Sequence, residues 1–327
     1  MAPGLRDAAA VTETCFHSHA VGQLLDLWQE VMPGDAPDRA RFRDLVLLNP
    51  AFVPEGLILL WRGARLVGFG YAIADGASPP DAESRRGWVA GIGVTAGERG
   101  AGLGTRLLTG CLQFLAAHGC TVAELGGNGE HYLLPGCDAA AYPDFRRLLL
   151  ASGFRAAGST RAMECDLLAV RPAQPPGRQG PYRYCHPSDG DIPELLRLVS
   201  RLSRSWAGLV RGYLARSAVA DGLWVACGPD GMAGFAGFDL FPGCPGRFGP
   251  MGVLPEVRGH GVGGHLLGLS LASMADRGHP SAWFLWGPDG PAGPRMYASA
   301  GFRVSREFEF FTCDLQASAT DRPSTER

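Results

Sequence analysis

Arg99-Gly100-Ala101-Gly102-Leu103-Gly104 recurs in kind as Arg258-Gly259-His260-Gly261-Val262-Gly263. Each copy stands at the same distance after an apolar stretch, Val94 then Arg99 and Val253 then Arg258, and each opens a run with helical apolar spacing. Each is trailed by a Gly-Phe pair, Gly153-Phe154 and Gly301-Phe302. Glycines in a strand-to-helix turn have two readings. They relieve backbone crowding, or, lacking side chains, they let successive N–H groups converge on a phosphate at the positive end of the helix dipole. One copy leaves both readings open. Two copies in matching context indicate a duplicated domain with a duplicated anion-binding turn.

The length agrees with duplication, since 327 residues make two domains of roughly 150 residues, each able to bury its own core. Hydrophobic content of 46% with 19% charged residues is globular. No apolar run approaches the roughly 18 residues that cross a bilayer, so no membrane partner is expected. The N-terminal Met1-Ala2-Pro3-Gly4-Leu5-Arg6 has no apolar signal core, and a cytoplasmic location is expected. A net charge of -2 provides no basic footprint for nucleic acid. Nine cysteines without a C-x-x-C pair suit reduced thiols, and no metal site is expected. The chain has no lysine, which excludes a lysine Schiff base and a Walker-type phosphate loop.

The prolines and glycines of residues 169–181 cannot hold a regular element, so this stretch reads as a linker between a first domain, 1–168, and a second, 182–315. The polar residues 316–327 read as a disordered tail. In the first domain, helical spacing over Gly22–Val31 and Arg39–Leu48 is followed by strands over Leu57–Trp61, Leu66–Ile73 and Trp88–Val94. The glycine turn opens a helix over Gly102–His118; then come strand Val122–Leu125, helix Phe145–Ala151 and strand Thr160–Leu167. The second domain repeats this order: strand Tyr182–Cys185, helices Ile192–Leu202 and Ala207–Arg216, then strands Leu223–Cys227, Met232–Leu240 and Phe248–Leu254. After its turn come a helix to Arg277, strand Ala282–Trp286, helix Pro294–Ala300 and strand Arg306–Leu315. The fold class is α/β of the α+β kind: each domain is a mixed, mainly antiparallel twisted sheet flanked by helices.

A dinucleotide-binding turn needs G-x-G-x-x-G after the first strand and an acid about twenty residues on. Here the turn follows the third strand, and Pro280–Trp286 offers no acid in the second copy. Strand, then R-x-x-G-x-G, then helix instead resembles the acyl-CoA motif of the GNAT superfamily of N-acyltransferases, position by position in both copies. The element order and the closing Gly-Phe resemble that family too, so the chain is similar to tandem GNAT proteins such as the mycothiol synthase family. The resemblance implies that acetyl-CoA is the acetyl donor. Its pyrophosphate would meet backbone N–H groups of Arg99, Gly100, Ala101, Gly102, Leu103, Gly104 and Thr105, and of Arg258, Gly259, His260, Gly261, Val262, Gly263 and Gly264. Strand residues Ile92, Gly93 and Val94, and Met251, Gly252 and Val253, would pair with the pantetheine arm. Arg99 and Arg258 read equally as ionic contacts and as surface charges.

Acyl transfer to an amine needs a neutral amine, a polarised carbonyl and a proton for the departing thiolate. In many members of the family a tyrosine four residues before the Gly-Phe gives that proton. Tyr297 stands there in the second domain, and Leu149, which cannot donate, in the first. The other reading of Tyr297 is a ring packed on the sheet. Neither Trp88–Val94 nor Phe248–Leu254 carries the strand glutamate that often serves as base. That leaves Asp239 or a water chain as base, and Asp239 reads as well as a cap of the turn at Phe241-Pro242-Gly243.

The connection from Gly104 to Gly153 is longer than that from Gly263 to Gly301, with the extra residues around His131–Asp138. Their Tyr-x-x-Pro-Gly-x-Asp is similar to a stretch of glucosaminide N-acetyltransferases, which implies an amino-sugar acceptor held by Tyr132 and Asp138. Otherwise Tyr132 fills the core and Asp138 starts a helix. The sequence thus leads to an expected N-acetyltransferase acting on a primary amine of a small molecule, monomeric or homodimeric, with the second domain catalytic. The alternative is a non-catalytic acyl-CoA-binding or regulatory protein.

Overall fold

Gly68 and Gly70 alternate with Phe69 and Tyr71, and this alternation decides how the first sheet is covered. A computed structural model describes residues 10–74, 85–127, 133–168, 178–286 and 293–315. It divides into two compact units, Met1–Thr160 with Glu307–Arg327, and Arg161–Arg306.

The first unit runs β1 (Val11–Cys15), α1 (Val21–Val31), α2 (Arg39–Phe42), β2 (Leu57–Arg62), β3 (Arg65–Ala74), β4 (Arg86–Val94), α3 (Leu103–Ala117), β5 (Val122–Leu125), α4 (Pro143–Ala151) and the start of β6 (Arg155–Asp166). Strands β1 to β4 are sequential antiparallel neighbours. On one face, a Cβ at Gly70 would meet Cys111 Sγ at 3.0 Å and one at Gly68 would meet Leu107 Cδ1 at 3.2 Å, so the bare backbone lets α3 lie close. On the other face Phe69 packs at a tilt against Trp28 of α1, with ring centroids 4.4 Å apart.

Strand β4 pairs with β5 in parallel only over Arg86↔Val122 to Trp88↔Glu124. Beyond Trp88 the two strands diverge, and the edge of β4 toward Val94 is left without a β5 partner. The sheet is completed by the end of the chain: in β13 (Arg303–Asp314), Phe311 to Asp314 pair antiparallel with Leu125 to Val122. Phe311 is buried in the first core, with Cys313 and Leu315 packed against it.

The second unit takes the end of β6, then β7 (Arg178–Gln179), β8 (Tyr182–Cys185), α5 (Ile192–Leu202), α6 (Arg204–Arg216), β9 (Leu223–Gly228), β10 (Gly231–Phe238), β11 (Phe248–Val253), α7 (Val262–Asp276), β12 (Ser281–Trp286), α8 (Gly293–Ser299) and the start of β13. Strands β7 to β11 form an antiparallel sheet in the order β11-β10-β9-β8-β7. Its two faces carry separate cores, one under α7 with Trp224, Phe238 and Leu266, the other under α5 and α6 with Leu198, Tyr213 and Phe235. Strand β12 pairs antiparallel with Arg161–Asp166 of β6, and Met163, Cys165 and Leu167 pack into the second core.

The element order is the one the sequence leads to, with differences at exposed edges. Strand β1 was not expected, because Thr12, Glu13 and Thr14 face solvent and leave no apolar alternation to read. For the same reason β6 starts at Arg155 rather than Thr160. The single helix expected over Arg39–Leu48 is a short α2 followed by a π turn over Arg43–Leu47. Residues 169–177 of the expected linker lie outside the described residues, as does the tail 316–327.

Candidate active site

Both glycine turns have one backbone. After β4 a 3₁₀ turn (Ala96–Glu98) leads to Gly100 at φ +79° and Gly102 at φ +78°, the residue that caps α3. After β11 a 3₁₀ turn (Pro255–Val257) leads to Gly259 at φ +83° and Gly261 at φ +78°, which caps α7. These left-handed positions are strained for a side chain and natural for glycine. A Cβ at any of the four would meet nothing within 4 Å. The glycines therefore answer to backbone conformation, and the space in front of the first N–H groups of each helix stays open to an anion.

Arg99 and Arg258 both fold back onto their own turn. Arg99 Nε donates to the Val94 carbonyl at 3.1 Å, and Arg258 Nε to the Val253 carbonyl at 3.3 Å. Each guanidinium thus braces its own strand-to-helix turn, a role that neither reading of the sequence named. The first turn is pinned further. Thr95 Oγ1 and the Ala96 N–H both donate to Glu30 of α1, and Arg62 grips Glu98 with two bonds of 2.6 and 2.7 Å.

A cavity of about 760 Å³ lies in front of the first turn. Its walls include Ile92, Gly93 and Val94 on the β4 edge, and Arg99, Gly100, Gly102, Leu103, Gly104 and Thr105 of the turn and helix start. The expected coenzyme residues of this half are thus brought together, all but Ala101. The end of α1 (Val31, Met32) and the start of α4 (Tyr142, Pro143) close the other sides. The volume falls in the range of about 300–1,000 Å³ that suits a small-molecule or cofactor site.

In the second unit Met251, Gly252 and Val253 end β11 and lead into the corresponding turn from Arg258 to Gly264. The segment 287–292, which connects β12 to α8, lies outside the described residues. A cavity of about 440 Å³ in this unit is lined by Arg197 and Arg201 of α5 and by the β9–β10 hairpin, and touches none of the turn's glycines.

The catalytic candidates fall in different places. Tyr297 on α8 is packed among Phe284, Phe302 and Phe248, with centroids at 4.4, 5.8 and 6.4 Å. Burial pushes its hydroxyl up to about 12, because a phenolate loses its hydration there. Leu149, at the matching position of α4, is fully buried in the first core. Asp239 has φ +55°; its carboxylate accepts from the Gly246 N–H at 2.8 Å and lies 2.7 Å from His279 Nε2. It sits opposite Arg247, before β11 begins. Asp239 therefore stands at the opposite end of β11 from Val253, where the strand leads into the glycine turn. Its carboxylate organises the β10–β11 loop, the capping reading left open in the sequence.

Asp138 is buried and its Oδ1 accepts from the N–H groups of Ala140 and Ala141, both at 3.0 Å, which sets the turn into α4. Tyr132 lies outside the described residues. His260 Nδ1 rests on the carbonyls of Val257 and Arg258 within the turn, and His265 lies against Tyr184, where loss of hydration lowers its pKa.

One pair has no counterpart in the sequence reading. Tyr142, on the cavity wall, donates its hydroxyl proton to Asp35 Oδ2 at 2.6 Å. Asp35 is only 7% exposed. The partners are 107 residues apart, and no local pattern marks either.

Residues 21–130 match the acetyltransferase (GNAT) family. No protein of curated function resembles the chain in sequence at a significant level. Several solved structures share the fold. A GCN5-related glucosamine N-acetyltransferase region of a fungal multi-domain GH3 β-N-acetylglucosaminidase is 14% identical with a TM-score of 0.73, covering 93% of this chain and 38% of that one. A GCN5-related N-acetyltransferase from Sphaerobacter thermophilus is 15% identical with a TM-score of 0.66, over 94% and 96% of the two chains. A tandem GNAT protein from the clavulanic acid biosynthesis pathway is 18% identical with a TM-score of 0.65, over 94% and 100%.

Proposed function

We propose that this chain, whose residues 21–130 match the acetyltransferase (GNAT) family and whose fold is shared by a tandem GNAT protein, transfers an acetyl group from acetyl-CoA to a primary amine of a small molecule in the first unit. The observation that carries this reading is the cavity in which the part of β4 beyond its pairing with β5 meets the start of α3. The N–H groups of residues 102–105 supply donors for a pyrophosphate at the helix N-terminus. The edge from Ile92 to Val94 supplies main-chain partners for an amide-bearing arm, in the manner of an added strand. No side chain would occupy the anion's place, since Gly100 and Gly102 face open space. Acetyl-CoA contributes the activated carbonyl; the chain contributes its orientation and a cleft in which an amine can approach.

An amino-sugar acceptor is supported by the similarity of the Tyr132–Asp138 stretch and by the glucosamine N-acetyltransferase region among the structural relatives. Glucosamine therefore heads the panel of amines. Acetyl-CoA incubated with that panel is expected to release free thiol on at least one amine, with acetylated product of matching mass. A second reading, an acyl-CoA-binding protein without turnover, is favoured by Leu149 at the donor position and by the absence of an acid on β4. Calorimetric binding of CoA with no thiol release on any amine would support it and overturn the first.

A further inference from the structure

An amine offered to a thioester at neutral pH arrives mostly as ammonium, as the lysine value of about 10.4 illustrates. It has to lose a proton before its lone pair can attack. Strand β4 holds no acid for this, since it reads Arg86-Gly-Trp-Val-Ala-Gly-Ile-Gly-Val94. Two carboxylates line the cavity directly, and both are engaged by arginine: Glu98 by Arg62 through two bonds, Asp144 by Arg147 on the same helix. Asp239 belongs to the second unit's β10–β11 loop. Asp35 reaches the cavity by another route, through the phenol of Tyr142.

We propose that Tyr142 is the group that takes the proton of the acceptor ammonium, and that Asp35 acts through it as the terminal proton acceptor. This deepens the acetyl-transfer reading and rests on it. A phenol that donates to a carboxylate still offers oxygen lone pairs as acceptors, so Tyr142 Oη can receive an N–H from the cavity while its own proton points to Asp35 Oδ2. Burial of Asp35 behind that phenol makes the hydrogen bond to the charged carboxylate a strong one. Both groups are held in place by backbone. The Asp35 and Ala36 N–H groups donate to the Met32 carbonyl at the end of α1. The Tyr142 N–H donates to the Asp138 carbonyl, and the Tyr142 carbonyl accepts from Arg146 in the first turn of α4. Met32 and its neighbour Val31 line the same cavity, and a Cβ at Gly93 would lie 2.5 Å from Val31 Cγ2. The pair therefore stands beside the part of β4 assigned to the pantetheine arm.

The step balances. One ammonium proton passes to Tyr142 Oη as the phenol proton passes to Asp35, leaving a neutral amine and a neutral carboxylic acid. The amine lone pair forms the C–N bond at the thioester carbonyl carbon, and the C–S electron pair leaves with sulfur. The thiolate takes the second nitrogen-bound proton, giving amide and free thiol, and Asp35 returns its proton to water. Two protons leave nitrogen, one on the thiol and one in solution.

The test uses the full chain, glucosamine and the other amines of the panel, and steady-state rates from pH 6 to pH 10. Tyr142→Phe, which keeps the ring, should lower kcat by on the order of 10² to 10³ at pH 7, with calorimetric CoA affinity within about threefold of the parent. The deficit should shrink as pH rises toward the amine's own pKa, where free amine no longer needs a base. Asp35→Asn should show the same pH-dependent deficit, and the double variant should be no worse than either single one, as expected of groups that act as a unit. Unchanged kcat, or a deficit constant across pH, would overturn the relay; the latter would mark the bond as a latch between α1 and α4. If Tyr142→Phe loses CoA binding, Asp35→Asn decides by the same two criteria. A parent protein that binds CoA but acetylates no amine fails at the earlier reading and takes the relay with it.

Discussion

Gly102 and Gly261 both have φ +78° and both cap a 15-residue helix; the first faces a cavity of about 760 Å³, while among the described residues of the second unit a cavity of about 440 Å³ lies against α5. The backbone was copied and its surroundings were not. Around the first turn, Glu30 and Arg62 pin the loop, and α4 begins with Tyr142 on the cavity wall. Around the second, α8 sends Tyr297 into an aromatic cluster. A turn fixes where an anion can bind. The elements that converge on it decide whether chemistry follows, and in this chain those elements differ.

The largest effect expected from testing that comparison comes from separating the halves. A chain cut between residues 168 and 182 would leave β5 without Phe311–Asp314 and β12 without Arg161–Asp166. Phe308 and Phe311 are nearly fully buried, and losing one such ring costs about 3–5 kcal/mol, a large share of the 5–15 kcal/mol that holds a domain folded. Neither half should show cooperative unfolding alone by circular dichroism, while the two co-expressed should regain it. A half that folds alone would show that the strand pairing is dispensable.

The next largest effect separates the two turns on the intact chain. Gly102→Val and Gly261→Val impose the same strain, about 1–3 kcal/mol for a side chain at such φ, and each places a methyl group where an anion would lie. Gly102→Val should cut turnover at least tenfold and Gly261→Val should leave it within about twofold. Calorimetric stoichiometry then tells whether the second turn holds CoA without using it. Equal losses of turnover would mean that both units catalyse.

What could be read in the sequence follows the range of the physics involved. The turn was legible because positive φ at Gly100 and Gly102 is a local demand that only glycine meets easily, and a copied turn repeats it. Strands buried on both faces, such as β3 and β10, were legible from their nearly continuous apolar and glycine content. Strand β1 was not, since an edge strand with polar Thr12 and Glu13 buries almost nothing. The partners of β6 and β13 were not legible either: alternation tells which face of a strand is buried, never which edge it lies beside. Asp239 could be read both ways, and only the Gly246 N–H and His279 bring out its place in a loop. The Tyr142–Asp35 bond joins residues that no window contains together, and a tyrosine before a helix carries no mark of what its hydroxyl will meet.

The smallest effect concerns Tyr297, where the family resemblance and the first unit's cleft point in opposite directions. If it donates the thiolate's proton, Tyr297→Phe should cost on the order of 10² to 10⁴ in rate; if the first unit carries the chemistry, the change should stay under about threefold. A titration of the parent supplies an independent check on its packing. Burial raises the hydroxyl from an ordinary 10 to about 12, so below pH 10 the phenol is neutral in both folded and unfolded chains and its packing contributes in full. Between pH 10 and 12 the unfolded chain ionises first, and that contribution is lost as pH rises. Phenolate absorbance should therefore show Tyr297 ionising late, near 12, with Tyr71, which burial pushes higher still, later again, and Tyr297→Phe should remove the step near 12 and leave the others in place. A parent whose Tyr297 ionises near 10 would have its hydroxyl in water, and the ring would be free to serve a cleft of its own.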